Sequence, residues 1–453
     1  MIGNPHLRIR VMMILSVWLL IMTPLLRGDD EIEDQMIIYS ESAILMDAVS
    51  GQVLYARDMH RPLKPASITK IMTALLALEL GKPDEIITMS YEAVYSLDED
   101  STQIALDEGE QITLEQALYA LALESANDAA NGIAEHLGGS MAAFAEMMSA
   151  RALSLGAQHT NFANAHGLDD DLHYTTVYDM ALITREAIKN PRFLQLFSAW
   201  EYVIPPTNIQ PETRILHSAN EILPVGYYDY EGLIASKTGW TDEAMNTIMA
   251  AAQREGRTLI VVLMRSDWRD AKWLDATSLL DYGFNEFIDF RLPAEAFDRD
   301  EFTLTWGSSA EASVDLRAEQ DFTCLLPVQA ATEDIIIEYV STPDLDGLPK
   351  VQAFISLELP WLLGEHLLLG SLGLRTFTRG TAEQSLVLSL GEYMAEGPTE
   401  VEPLSATTVL IYRIATVCGA ILLCIGFATM RRHIYIKRRR LEIQERRRQK
   451  QSI

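Results

Sequence analysis

A serine and a lysine three residues apart, Ser67-Ile-Thr-Lys70, constrain this 453-residue chain more than any other feature. Nowhere else in it does a lysine follow a serine by three positions. The surrounding run from Pro65 to Glu79 opens on a proline and is rich in strong helix formers, so it predicts a helix over Ser67–Leu80. Residues three apart on a helix stand on one face. Ser67 then sits in the first turn, where unpaired N–H groups and the positive end of the dipole favour developing negative charge. A serine hydroxyl needs a base before it can attack. A lysine becomes that base when burial or nearby positive charge lowers its pKa. Alone, the pair fits either a histidine-free acyl-transfer centre or two side chains on a solvated helix.

Two more motifs decide between these. Ser125-Ala-Asn127 and Lys237-Thr-Gly239 follow in the chain. Ser-x-x-Lys, Ser-x-Asn and Lys-Thr-Gly, in that order, form the signature of penicillin-binding proteins and serine β-lactamases. Ser218-Ala-Asn220 also fits the second pattern, but it lies only 19 positions before Lys237, whereas Ser125 follows Ser67 by 58. Ser125 is the site member, and Ser218–Asn220 reads as a turn or cap.

The resemblance extends past the motifs. Ser42-Ala-Ile-Leu-Met-Asp-Ala-Val-Ser-Gly-Gln-Val-Leu-Tyr55 is similar to the strand pair that opens the catalytic domain of D-alanyl-D-alanine carboxypeptidases, the low-molecular-mass penicillin-binding proteins. Gly138-Gly-Ser140, Leu155-Gly156, Thr160-Asn-Phe-Ala-Asn-Ala-His-Gly-Leu168 and His173-Tyr-Thr-Thr-Val-Tyr-Asp179 read as the same family. The similarity covers residues 38 to 285 and extends more weakly to residue 392. It implies an α/β fold: a β-lactamase/transpeptidase-like catalytic domain, then a small all-β sandwich acting as a stalk.

The resemblance also implies roles. Ser67 attacks the carbonyl of a terminal D-Ala-D-Ala bond and forms an acyl-enzyme, with Lys70 as base. Lys237 close by would help keep Lys70 neutral. Ser125 and Asn127 pass the proton to the leaving D-alanine and hold the substrate amide. Lys237 and the Thr238 hydroxyl suit the terminal carboxylate, and Gly239 lets the strand backbone come close to the substrate. The oxyanion donors would be the N–H groups of Ser67 and Trp240; losing one such donor typically costs about 10²–10³ in rate. Arg269 is a candidate for orienting the carboxylate, and a surface salt bridge fits it equally. His166 matches the family pattern but reads as structural, and Asp169–Asp171 reads as a polar turn rather than a calcium loop. One departure stands out: the family usually has alanine-glycine shortly after Lys-Thr-Gly, and here the pair is Ala244-Met245.

The ends predict location. Basic residues precede Val11–Leu26, a 16-residue apolar run, as in a secretory signal, and the run ends in Arg27-Gly28-Asp29 with no small-x-small cleavage site. Residues 1–28 are therefore a signal peptide or a signal anchor. Residues 406–430 form a second apolar run, long enough to cross a bilayer if Arg413 snorkels to the interface. The basic tail 431–453 behind it is expected in the cytoplasm and the catalytic domain outside it. The chain carries a formal −28, of which +8 sits in residues 431–453 and +3 in residues 1–27, so residues 28–430 hold −39. So acidic an exterior argues against nucleic acid as a partner. Three cysteines and no cysteine–histidine cluster of metal-ligand spacing argue against zinc, and no cofactor is expected.

Two folded units are expected between the ends. Residues 29–286 alternate helix and strand patterns, with helices at Ser67–Leu80, Leu114–Leu137, Met141–Leu155, Thr176–Lys189 and Asp270–Tyr282 and a strand at Leu259–Met264. Residues 292–392 hold short strands at Phe302–Trp306, Phe322–Val328, Ile335–Val340, Val351–Leu359 and Ser385–Leu390, and residues 393–405 read as a linker. The leading function is a membrane-anchored D-Ala-D-Ala carboxypeptidase acting on peptidoglycan stem peptides and acylated by β-lactam antibiotics. A serine β-lactamase shares the motifs, but Ala157–Leu168 contains no glutamate for rapid deacylation. A non-catalytic wall-binding or sensor protein that keeps the fold is the third reading.

Overall fold

Five apolar strands drawn from residues 40–266 build the main sheet. In the computed structural model, which describes residues 36–98, 100–224, 226–306, 310–330, 334–342, 350–358 and 366–378, the chain opens with the hairpin β1 (Ser40–Asp47) and β2 (Val53–Arg57). A 3₁₀ turn, Ala66–Thr69, runs into helix α1 (Lys70–Leu80). A helical cluster follows: α2 (Tyr91–Tyr95), α3 (Leu114–Leu123), α4 (Asn127–Gly138), α5 (Met141–Ser154), α6 (Val177–Ala187) and α7 (Pro191–Phe197). Two small hairpins flank it, β3 (Ile86–Thr88) with β4 (Gln111–Thr113), and β5 (Glu201–Ile204) with β6 (Arg214–His217). The chain then returns to the main sheet through β7 (Leu233–Thr241), β8 (Met245–Arg254) and β9 (Arg257–Ser266), and ends this part with helix α8 (Ala271–Asn285). The strand order is β2-β1-β9-β8-β7, with every neighbouring pair antiparallel.

Local chemistry sets the helix starts. Thr113 and Gln116 form a reciprocal capping box on α3, Ser140 and Thr176 cap α5 and α6, and Asn190 with Pro191 opens α7. The helix expected over Leu114–Leu137 is instead two, α3 and α4, broken at Ser125, whose φ is +58°. The alanine-rich sequence carries helix propensity through the break, so only tertiary bonding reveals it. Asn127 N–H donates to Thr102 O at 2.8 Å, and the buried Asp128 carboxylate accepts from the N–H groups of Ile104, Leu106 and Ala129. Ser67 likewise lies in the 3₁₀ turn ahead of α1 rather than in the helix itself.

The sheet is buried on both faces, which is why β8 and β9 read as near-continuous apolar runs. Alternate residues sort into two cores. Ile44, Met46, Met249, Ile260 and Val262 pack with Ile68, Ile71, Phe144 and Ile183 on one face. Leu45, Ile248, Ala250, Leu259 and Val261 pack with Trp273, Leu279 and Leu280 of α8 on the other.

Beyond α8 the described residues form β-strands, apart from a 3₁₀ turn at Ala294–Phe297. β10 (Phe287–Leu292) is followed by β11 (Arg299–Trp306), β12 (Ala310–Ala318), β13 (Phe322–Pro327), β14 (Ile335–Thr342), β15 (Lys350–Glu358) and β16 (His366–Thr378). β10 pairs with β13, and β14, β15 and β16 form an antiparallel meander. β10, β12 and β16 are additional to the strands read from sequence. The chain divides into two compact units; among the described residues the second holds Glu301–Val314 and Thr378, the first the remainder. Within the first unit, buried Gln52 clasps the backbone of Leu325 on β13 through both its N–H (2.8 Å) and its C=O (2.7 Å). The apolar N-terminal run, Ser385–Leu390, the linker, the apolar run 406–430 and the basic tail lie outside the described residues. No helix among the described residues is long and apolar enough to cross a membrane.

Candidate active site

Pro65 delivers the chain into the 3₁₀ turn, and Ala66 follows at φ +51°. The turn is wedged between β7, β8 and the 160–168 loop. Thr247 on β8 bonds Pro65 O at 2.9 Å, and Thr69 Oγ1 meets His173 Nε2 at 2.8 Å. His173 Nδ1 accepts from Ala163 N–H, which leaves its proton on Nε2, and burial holds the ring's pKa down to about 4. Glycines permit the closeness. A Cβ on Gly167 would lie 1.9 Å from Ala66 O, and one on Gly239 would lie 2.6 Å from both Ser67 N and Thr247 Oγ1. The glycine of Lys-Thr-Gly therefore admits the backbone of Ser67, a closer demand than the substrate approach expected of it. Ser67 N–H belongs to the first turn and has no acceptor within the helix.

Lys70 is fully buried, and its Nζ has three neighbours: Ser67 Oγ at 3.0 Å, Asn127 Oδ1 at 2.7 Å and His166 O at 2.7 Å. Burial and the nearby Lys237 push its pKa well below the usual lysine range, against an opposing pull from Asp128. A neutral amine has two donors and one lone pair. The two carbonyl oxygens, of Asn127 and His166, can only accept and consume both donors. The lone pair then falls toward Ser67, whose hydroxyl can give it a proton. His166 thus serves through its main chain, while its ring Nδ1 accepts from Leu168 N–H at 3.1 Å.

Lys237, 4% exposed on β7, sits on the other side of the cleft, its Nζ 3.0 Å from Ser125 Oγ and 3.0 Å from Thr238 O. Burial lowers its pKa to about 7. The structure therefore brings together two hydrogen-bonded sets, Ser67–Lys70–Asn127 and Ser125–Lys237, close enough for Lys237 to depress the Lys70 pKa, with Gly239 packed against the Ser67 turn and half-buried Thr238 beside Lys237. Ser218–Asn220 lies behind it: Asn220 donates to Ser236 Oγ at 2.9 Å and accepts from Trp273 Nε1 at 3.2 Å, bracing the residue before Lys237. Asp169 accepts from Thr241 Oγ1, and Asp170 takes Leu172 N–H and the Lys64 ammonium, as a polar turn does. Among the described residues no group of His, Cys, Asp and Glu is arranged to hold a metal ion.

A family profile described as D-alanyl-D-alanine carboxypeptidase matches residues 30–267, more than half of the chain. The chain belongs to this family. D-alanyl-D-alanine carboxypeptidase DacB2 of Mycobacterium tuberculosis is 33% identical over 251 residues, which span 54% of this chain and 82% of that protein. DacF of Bacillus subtilis is 31% identical over 255 residues, spanning 55% of this chain and 63% of its own length, so less than two thirds of that relative is covered. The crystal structure of penicillin binding protein 5 from Haemophilus influenzae superposes with a TM-score of 0.58, covering 76% of this chain and 97% of that one. At 24% identity that likeness speaks for the fold alone.

Within this D-alanyl-D-alanine carboxypeptidase family member, Met245 gains an explanation. It opens β8 opposite Thr241 with φ +56°, a conformation that glycine adopts freely and methionine does not. The departure from alanine-glycine is thus a matter of backbone conformation. Met245→Gly should raise stability by about 1 kcal/mol, read as a higher urea midpoint; a lower midpoint would mean that methionine packing outweighs the backbone term.

Arg269 is not joined to the cluster by any hydrogen bond or ion pair among the described residues. It is exposed, with its guanidinium 5.8 Å from the Trp273 ring centroid. Sequence reasoning passed over Lys272, one helical turn on. That side chain is buried, bonds Asn246 Oδ1 at 3.0 Å, and lies 4.2 Å from the Trp273 ring centroid. Burial lowers its pKa to about 8. No motif marks it; its place in the buried first turn of α8 does.

Proposed function

We propose that this chain is a serine carboxypeptidase that removes the terminal D-alanine from peptidoglycan stem peptides through an acyl-enzyme on Ser67. The placement of Lys70 carries the reading: two acceptor-only oxygens fix its N–H groups and aim its lone pair at Ser67 Oγ. Lys70 takes the Ser67 proton as Oγ bonds to the scissile carbonyl carbon, and that carbonyl becomes an oxyanion. The C–N bond then breaks, and the departing D-alanine amine takes a proton through the Ser125 hydroxyl. Water, activated by the same lysine, cleaves the ester and restores Ser67. Lys237 in its cationic form, with Thr238, receives the terminal carboxylate, whose charge favours the protonated lysine. The N–H groups of Ser67 and Trp240 take the oxyanion.

The two apolar runs and the basic tail support a place at the cell membrane. There the acidic catalytic part works outside the cytoplasm, held by residues 406–430 as a single span and carried on a β-sandwich stalk. β-Lactams acylate the same serine. The segment that would supply a deacylating glutamate offers Lys70 the His166 carbonyl instead, so the adduct is long-lived.

Intact-mass analysis of the soluble region after mixing with penicillin tests this. The expected result is a stable adduct that maps to Ser67 and is absent from Ser67→Ala, which also loses hydrolysis of a D-Ala-D-Ala peptide by at least about 10⁴-fold. Hydrolysis that survives in Ser67→Ala would remove the proposed nucleophile.

A further inference from the structure

The end of the main sheet beside the site carries exposed aromatic rings that neither packing nor the acyl-transfer chemistry accounts for. Trp240 on β7 is 62% exposed, Trp268 just past β9 is 43% exposed, and Tyr39 just before β1 is 38% exposed. The Tyr39 and Trp268 rings pack against each other at a tilt of 59°, with centroids 4.4 Å apart. Sheet register brings all three to one end of the sheet. Trp240 pairs with Asn246, Asn246 with Ser266, and Ser266 with Ser40, so the end of β9, which Trp268 follows by two residues, lies two strand spacings, about 10 Å, from β7. Arg269 adds an exposed positive charge between the rings and α8.

The direction of the substrate, taken from the proposed carboxypeptidase reading, leads to this edge. The terminal carboxylate lies at Lys237 and Thr238, and the scissile carbonyl lies at Gly239, where the Ser67 amide approaches. Upstream residues of the acyl group then continue past Trp240 and Thr241. β7 is the outermost strand of the sheet, and an extended peptide along it advances about 3.3 Å per residue. Within a few residues the stem reaches the end of the strand, and the upstream end of a stem peptide is the end joined to glycan. Indole and phenol rings combine an apolar body with a polar handle, which suits the flat C–H face of a sugar ring. The −39 carried by residues 28–430 disfavours a polyanion as occupant.

We infer that Trp268 and Tyr39 form a ledge that holds the N-acetylated aminosugar glycan to which the stem peptide is attached, making this chain selective for glycan-linked over free peptides. The test uses two readouts on the soluble region. The first is equilibrium binding of a neutral N-acetylglucosamine oligosaccharide, followed by tryptophan fluorescence and calorimetry. The second is kcat/KM on a D-Ala-D-Ala peptide with and without its disaccharide. Trp268→Ala and Tyr39→Ala should weaken oligosaccharide binding about tenfold and lower kcat/KM on the disaccharide substrate by a similar factor. They should leave the free peptide within twofold, and Trp268→Phe should recover most of the binding. Saccharide binding that depends on Trp268 in a protein that cleaves neither substrate would uphold the ledge and sink the carboxypeptidase reading. Absence of saccharide binding by folded wild-type protein, or binding unchanged in both variants, overturns the ledge. So does a Trp268→Ala effect confined to self-association or to vesicle binding, which would assign the rings to another occupant.

Discussion

Lys70→Arg should lower the rate of Ser67 acylation by about 10²–10⁴-fold, the usual worth of a positioned general base. Arginine carries a permanent positive charge and cannot surrender a proton at any working pH. Lys70 is fully buried, and both carbonyl oxygens against it would still accept from a guanidinium. What disappears is the lone pair that faces Ser67. A permanent charge in that position also costs stability, so Lys70→Met, which removes both charge and base, serves as the companion. Both variants should lose acylation, measured as the rate of penicillin adduct formation on protein shown by circular dichroism to be folded. An arginine variant within tenfold of wild type would mean that another group takes the proton.

Gly239→Ala is the second change with a large expected effect, and here the cause is steric. The added Cβ would meet Ser67 N and Thr247 Oγ1 at 2.6 Å and Ala66 Cβ at 3.0 Å. None of these is the free end of a flexible chain, since Thr247 is tied to Pro65 O. Either β7 or the turn bearing the nucleophile must retreat by several tenths of an ångström. Misplacing a reacting group by such amounts costs up to about 10²-fold. The expected result is a 10–100-fold drop in kcat/KM with the fold retained, both lysines being untouched. Full activity in Gly239→Ala would show that the contact between Ser67 and β7 is dispensable.

The candidate site was legible because the proposed chemistry demands particular residue types at fixed intervals. Lys70 bonds Ser67 and Asn127, and Lys237 bonds Ser125, at 3.0 Å or less, while Gly239 packs so closely beside Ser67 that a Cβ there would clash. What escaped the sequence depends on burial and on backbone conformation. The left-handed Ser125 lies inside an alanine-rich stretch whose propensity is helical throughout, so the two helices read as one. Arg269 and Lys272 are both basic residues near the start of one helix, and only the packing of Trp273 and Asn246 shows that the second is the buried one. The role of the His166 carbonyl has no sequence signal, because every residue carries that group. The fully buried Glu110, paired with Arg214 from 104 residues away, has none either.

A sheet covered on both faces has an evolutionary consequence. One apolar layer surrounds α1, the helix that follows Ser67, and the other lies beneath α8, where alternate residues of the same strands meet a separate set of partners. Side chains in different layers pack against different partners, so where they lie more than about 7–10 Å apart their effects on folding should combine additively. Lineages, and engineers, can thus accumulate repairs in the α8 layer that offset damage done while the catalytic layer explores new specificities.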